Sequence, residues 1–140
     1  RFQPGNHAPT ESAWGYDNRT TAIRIPESPP SARRIEHRVA GADANPYLVL
    51  AAVLAGIWHG IEGKLTPPPA IEGNAWDQDI KATPLPTTMD QAIDAFDGAQ
   101  TLSEYLTTEF KTLFLATKKQ EWSEFARHVT EFELETYLRM

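Results

Sequence analysis

The stretch TTAIRIPESPPSARRIEHRV, residues 20–39, reads as two short strands with a loop between them. TTAIRIP (20–26) and RRIEHRV (33–39) are β-branched, partly alternating runs, and the paired prolines of ESPPS (27–31) permit a loop and forbid a helix. In an extended strand, side chains two apart share a face, so Arg34, Glu36 and Arg38 point one way and Ile35 and Val39 the other. One carboxylate therefore stands among Arg33, Arg34, His37 and Arg38. Arg19 and Arg24 lie five apart and would face opposite ways in a regular strand; either Arg19 belongs to the entering loop or a bulge intervenes.

Charge along the chain sharpens this picture. The 140 residues carry a net charge of -6, yet residues 1–40 hold six arginines (Arg1, Arg19, Arg24, Arg33, Arg34 and Arg38), no lysine and four acids. That front segment is +2 and the remainder -8. Arginine is favoured over lysine where planar, bidentate contact with carboxylate or phosphate matters, because its donor fork matches those anions and stays charged when partly buried. Solvated surface cations would come with lysines interspersed, so the composition favours an anion site. Overall acidity argues against nucleic acid as a partner.

A chain of this length suits one domain or part of one. With 41% apolar and 23% charged residues it has the composition of a globular protein, and with no Cys it has no disulfide framework and no thiolate metal site. The longest apolar run, LVLAAVLAGIW (48–58), falls short of the roughly 20 residues needed to cross a bilayer, and the N-terminus shows no secretion signal. A soluble, cytoplasmic protein without a membrane partner is expected.

Downstream of the strands the chain turns helical. Asn45 is a good N-cap, Pro46 suits the first helical position and Gly63 can supply a left-handed C-terminal residue, so a helix is expected over 46–62. It is apolar on nearly all sides, with the small residues Ala51, Ala52, Ala55 and Gly56, and is expected at the buried centre of a larger body. Residues 64–88, with TPPPA and ATPLPTT, read as a long irregular connection that is functional, mobile or packed on another chain. The tail over 89–140 is helical: TMDQAIDAF gives a short helix, and TLSEYLTTEFKTLFLATKK opens on a capping box of Thr101 and Glu104. Trp122, Phe125, Val129 and Phe132 form an aromatic stripe expected in a core or subunit contact, and the run can break near Val129 where Thr130 caps a new helix.

WGYDNRTTAIRIP, RRIEHR and GADANPYLVLAAVLAGI, in this order and spacing, closely resemble the C-terminal part of the glutamine synthetase family's catalytic domain, and VTEFELETYL resembles that family's last helix. The resemblance covers essentially all of residues 1–140. It implies an α+β fold, a few antiparallel strands packed with a predominantly helical C-terminal half, and a fragment of a longer chain. It divides the chain into an arginine-rich active-site segment over 1–40, a central helix over 45–63, the irregular connection over 64–88 and the helical tail over 89–140. The family joins glutamate to an amine with ATP and a divalent metal, Mg²⁺ or Mn²⁺, through a γ-glutamyl phosphate. By resemblance, Arg19, Arg24 and Arg34 fall on arginines that contact ATP phosphates, and Arg19 and Arg24 count as catalytic. Arg1 and Arg38 fall on arginines holding glutamate, and Glu36 falls on a carboxylate ligand of the metal. Positioned cations of this kind stabilise the charge spread over a transferring phosphoryl group.

His7, in PGNHAP, stands where glutamine synthetases proper carry a glutamate that binds ammonium and takes its proton, a task a neutral or cationic imidazole does not share. Residues 65–103 also lack the tyrosine that enterobacterial members carry as their adenylylation site. Both departures, with RFQPGN, resemble the γ-glutamylpolyamine (γ-glutamylputrescine) synthetase branch. Two other readings stay open: glutamine synthetase proper, with His7 a variable residue, and an inactive relative serving as an assembly or regulatory subunit. Glu36 could equally be a plain salt-bridge partner of Arg34 or Arg38, and His37, His59 and His128 read as surface or core histidines. The resemblance further implies a homo-oligomer of stacked rings, a dodecamer, with active sites between subunits, and an isolated chain without activity.

Overall fold

In a computed structural model of the chain, Phe2, Gly5 and residues 8–138 are described. Their contacts fall into two compact units, Arg1–Thr87 and Thr88–Met140. Among the described residues, three strands and five α-helices make up the α+β architecture.

The first unit is built on a small sheet of β1 (Trp14–Tyr16), β2 (Ile23–Ile25) and β3 (Glu36–His37), in that order. β2 pairs antiparallel with β3, in line with the antiparallel strands that the resemblance implies, with Arg24 directly opposite Glu36. β1, which the sequence did not single out, pairs parallel with β2, Trp14 opposite Ile23 and Tyr16 opposite Ile25. Parallel neighbours ordinarily need a crossover of a dozen or more residues, yet here residues 17–22 suffice. The strands are three residues long, so the chain must retrace only about 10 Å, within reach of six extended residues. Asp17 turns the backbone with φ 46°, a left-handed conformation that Asp tolerates better than most residues. Thr21 is fully buried in the turn, its hydroxyl 3.0 Å from the carbonyls of both Asn18 and Ile23. Both strands of the arginine run are shorter than expected: 20–26 contracts to Ile23–Ile25 and 33–39 to Glu36–His37, a three-residue 3-10 turn at Pro30–Ala32 occupying the proline loop.

α1 spans Pro46–Glu62 as expected, with Pro46 in its first turn and the Asn45 side chain accepting from the backbone N–H groups of Tyr47 and Leu48. Its C-terminus departs from expectation: Gly63 stays right-handed at φ -75°, and Lys64, at φ 48°, makes the left-handed turn. Among the described residues the helix is largely open. Tyr47, Leu50, Leu54, Trp58 and Ile61 are each more than half exposed and Ala55 is the buried residue of the helix. The small sheet is flanked by the buried Ala13 and Ala22, and among the described residues those five large side chains of α1 stay mostly uncovered.

The connection after α1 straps onto residues 8–20 of its own chain. Trp14 Nε1 donates to the Pro68 carbonyl at 2.7 Å and Ile71 N to the Trp14 carbonyl at 2.8 Å. Farther along, Trp76 Nε1 donates to the Ala8 carbonyl at 3.2 Å, Ser12 N to Thr83 O at 2.9 Å and Leu85 N to Thr10 O at 2.9 Å. Backbone polar groups that no regular ladder satisfies are thus paired one by one.

The second unit holds α2 (Met89–Gly98), α3 (Gln100–Tyr105), α4 (Thr108–Phe125) and α5 (Glu131–Tyr137). α2 packs on α4 through Phe96 edge-to-face on Phe114, with Ile93 and Leu115 buried. Lys111 reaches from α4 to the end of α2, its Nζ 2.7 Å from the Asp97 carbonyl and 3.2 Å from that of Ala99, where a cation complements the helix C-terminus. Thr101 lies inside α3 and caps nothing there; Thr107 caps α4, and the capping box falls at Thr130 and Glu133, opening α5 at the expected break. The stripe expected as core or contact is largely open within this unit, Phe125, Val129 and Phe132 being 60%, 66% and 75% exposed.

Candidate active site

Arg24 on β2 and Glu36 on β3 are cross-strand partners, and Arg38, two residues beyond Glu36, shares its face, as a period of two demands. Glu36 is gripped on both oxygens: Arg24 Nη1 donates to Oε2 at 3.1 Å and Arg38 Nη1 to Oε1 at 2.5 Å. Arg24 also donates through Nη2 to the carboxylate of Asp17, so its two terminal nitrogens hold one acid each. Arg38 Nη2 donates to the backbone carbonyl of Arg19 at 2.9 Å. The side chains of Arg24 and Arg38 are about four-fifths buried, that of Glu36 is 36% exposed and that of Asp17 more than half exposed. The result is an ion-pair chain Asp17–Arg24–Glu36–Arg38 lying across the sheet.

Electrostatics follow from these contacts. The Arg38 hydrogen bond, with the neighbouring charge of Arg24, holds the Glu36 carboxyl below its ordinary value, so it is ionised at neutral pH. The Asp17 hydrogen bond raises Arg24 further above its already high value.

Not all the candidate residues converge here. Arg19 lies in the turn between β1 and β2, which settles the entering-loop alternative; it joins the chain through its carbonyl, and its side chain is exposed. Arg34 precedes the shortened β3 and is exposed, with Nη1 3.4 Å from the Ala32 carbonyl. The expected Arg34–Glu36–Arg38 face is therefore realised for Glu36 and Arg38 alone. Arg1 and His7 lie outside the described residues. His37 and His128 are exposed and His59 half-buried. Asp17 and Asn18 escaped the sequence reading, although an Asp-Asn pair ahead of a β-branched run is a turn signal that could have drawn attention to them.

Among the described residues no group of three or more His, Asp or Glu side chains could hold a metal ion. Glu36 can still be one ligand, because an ionised carboxylate offers about four lone-pair sites and the two arginines occupy one on each oxygen. A hard divalent cation next to phosphates takes one or two protein carboxylates, which is what this donor set supplies. For a polyphosphate, the exposed guanidinium groups of Arg19 and Arg34 can be reached without breaking an ion pair, whereas Arg24 must share its donors with Asp17. No helix among the described residues is long and apolar enough to cross a membrane.

The glutamine synthetase catalytic-domain family matches residues 1–137. The chain is 43% identical over 139 residues to gamma-glutamylputrescine synthetase PuuA of Escherichia coli strain K12, a match covering 99% of the chain and 29% of that relative. It is 35% identical over 149 residues to a glutamine synthetase of Mycobacterium bovis, covering all of the chain and 33% of that protein. Among solved structures, a GmaS/ADP complex superposes with a TM-score of 0.80 at 30% identity, over 96% of this chain and 30% of the other. The chain thus spans about a third of the length of the relatives it matches. By sequence and by fold, it belongs to the glutamine synthetase family, within that family's catalytic domain.

Proposed function

We propose that this chain is the arginine-bearing portion, 1–140, of an ATP-dependent ligase that joins the γ-carboxylate of glutamate to an amine through a γ-glutamyl phosphate. The observation that carries the reading is the grip of Arg24 and Arg38 on the two oxygens of Glu36, in a chain of this family. Arg19, Arg24 and Arg34 take the ATP phosphates, and Arg19 and Arg24 stabilise charge on the transferring group. Arg1 and Arg38 hold glutamate. Glu36 supplies one oxygen ligand to Mg²⁺ or Mn²⁺, which when bound offsets phosphate charge. With both oxygens already oriented by arginines, Glu36 needs no rearrangement to do so.

The amine proposed is a polyamine, with His7 at the amine end of the site. Identity of 43% to a gamma-glutamylputrescine synthetase, against 35% to a glutamine synthetase, supports this choice. Ammonium is the second reading, supported by the same family relationship. The complete protein is proposed to be a cytoplasmic homo-oligomer of stacked rings with active sites between subunits, and the 140 residues alone to be inactive. An amine panel on the complete ligase, reading phosphate release with glutamate and ATP, tests the reading. Turnover with putrescine or a longer polyamine exceeding that with ammonium is expected. Preference for ammonium would replace the polyamine by the second reading, and no glutamate-dependent turnover with any amine would remove the ligase reading altogether.

A further inference from the structure

Asn18 is a side chain that the proposed chemistry does not use, yet both of its polar side-chain atoms are fully engaged. It is buried, 9% exposed. Its Nδ2 donates to the carbonyls of Ile71 at 3.1 Å and Gly73 at 2.8 Å, and its Oδ1 accepts from Thr20 N at 3.0 Å and from Thr20 Oγ1 at 2.6 Å. Thr20 Oγ1 in turn accepts from Ala75 N at 2.9 Å. Asn18 and Thr20 thus tie the connection over 71–75 to the two residues flanking Arg19.

Arg19 is the residue whose position this tie decides. Its side chain leaves the turn into solvent, and its carbonyl accepts from Arg38 Nη2. A shift of the turn would move both guanidinium groups, one directly and one through a 2.9 Å hydrogen bond. Gly15 makes the close approach possible: a Cβ there would stand 2.6 Å from the Ile71 carbonyl oxygen and 3.0 Å from the Asn18 Cβ. A glycine that lets a strand meet a carbonyl, a buried amide with each polar atom used twice and a hydroxyl that both donates and accepts all serve one contact.

Resting on the ligase reading above, we infer that Asn18 and Thr20 are positioning residues that use the 71–75 connection to hold Arg19 and Arg38 in register, coupling the phosphate arginine to the glutamate arginine. Neither side chain touches a reactant. Misplacement of a binding group by about 1 Å is enough to lower its contribution severely, so the connection acts as a splint for two subsites at once.

The test uses the complete ligase with Thr20→Val, which keeps the shape and removes both hydroxyl bonds, and Thr20→Ser, which restores the hydroxyl. Ala75→Pro cuts the same link from the other side. It removes only the N–H that Thr20 accepts, at the first position of a 3-10 turn preceded by an extended Asn74, where proline is tolerated. Leu115→Ala, in the second unit, serves as a destabilised control remote in sequence from the sheet. KM for ATP and for glutamate is measured for each, together with ADP affinity by displacement of a fluorescent nucleotide, which needs no turnover. Thr20→Val and Ala75→Pro are expected to raise both KM values and to weaken ADP binding at least fivefold. Thr20→Ser should stay within twofold of wild type, and Leu115→Ala should lower the melting point without moving either KM. Unchanged ADP affinity in Thr20→Val, a rise in one KM alone, or failure of Thr20→Ser to restore both would overturn the coupling while leaving the ligase reading intact. A wild-type protein that neither turns over nor binds ADP would overturn the ligase reading, and the inference with it.

Discussion

The turn between β1 and β2 and the helix α1 belong to the same unit and solve opposite problems. The turn is polar and buried: Asn18 and Thr21 sit at 9% and 0% exposure with their side-chain atoms hydrogen-bonded. The helix is apolar and exposed, with Trp58 57% and Ile61 66% open. Buried polar groups are tolerated when every donor and acceptor is matched, and the turn reaches that state with the chain's own connection. Apolar surface needs only bulk to cover it, and the described residues do not provide that bulk for α1. Arg19 stands in that turn, whereas Arg24, on the neighbouring strand, keeps a buried Nε with no hydrogen-bond partner among the described residues.

The largest expected effect therefore lies in the turn. Asn18→Ala strands two carbonyls and the Thr20 N–H in a buried place, and should lower the stability of the 140-residue chain by about 3 kcal/mol, read from denaturant midpoints. A loss below about 1 kcal/mol would show that water replaces the amide and that the turn is no more self-sufficient than the helix. Gly15→Ala comes next. Its new methyl meets a backbone oxygen, which cannot swing aside as a side-chain tip can, so about 2 kcal/mol is expected by the same measurement.

These two regions also differ in how much of them could be read beforehand. Capping is local, so Asn45 and Pro46 opened α1 where they should and Thr130 opened α5. The capping box assigned to Thr101 and Glu104 failed because Thr107, a few residues on, capped α4 while Thr101 was absorbed into α3. The two strands flanking a proline loop followed from alternation, whereas the pairing of Arg24 with Glu36 and the parallel partner β1 did not, because strands of two or three residues carry almost no periodic signal. The strap over 68–85 was opaque for a related reason. Its bonds run from side chains to backbone carbonyls more than fifty residues away, and no spacing rule encodes them. Burial of α1 was legible as a tendency of its side chains, and the structure shows where the partner for that tendency is missing from the described residues.

The site has a pH signature of its own. Glu36 has a folded-state value below its ordinary one, chiefly through the Arg38 hydrogen bond, so its ion pairs stabilise the fold above the unfolded value of about 4.3 and lose that contribution as pH falls through the lower folded value. The stability difference between wild type and Glu36→Gln should hold steady above about pH 5 and shrink below it. Because Glu36 and Asp17 are solvent-accessible, the effect is smaller than either turn substitution and should weaken with added salt. A difference that persisted unchanged to pH 3 would mean that the carboxylate is held by shape and not by charge.

In the 140-residue chain Leu54→Ala carries the smallest effect, and its size in two settings decides what α1 is for. In the 140-residue chain Leu54 is 54% exposed, so truncation removes few contacts, and alanine's slightly better helix propensity offsets part of the loss; a change within about 0.5 kcal/mol is expected. The chain covers about a third of its relatives' length. If the rest of a complete ligase covers this face, the same truncation opens a cavity and should cost about 2–5 kcal/mol there. Melting points of the pair in both settings give the comparison directly. A small effect in both would leave the apolar helix a surface feature of the whole enzyme, and a large effect in both would mean that the isolated chain buries α1 by associating with itself.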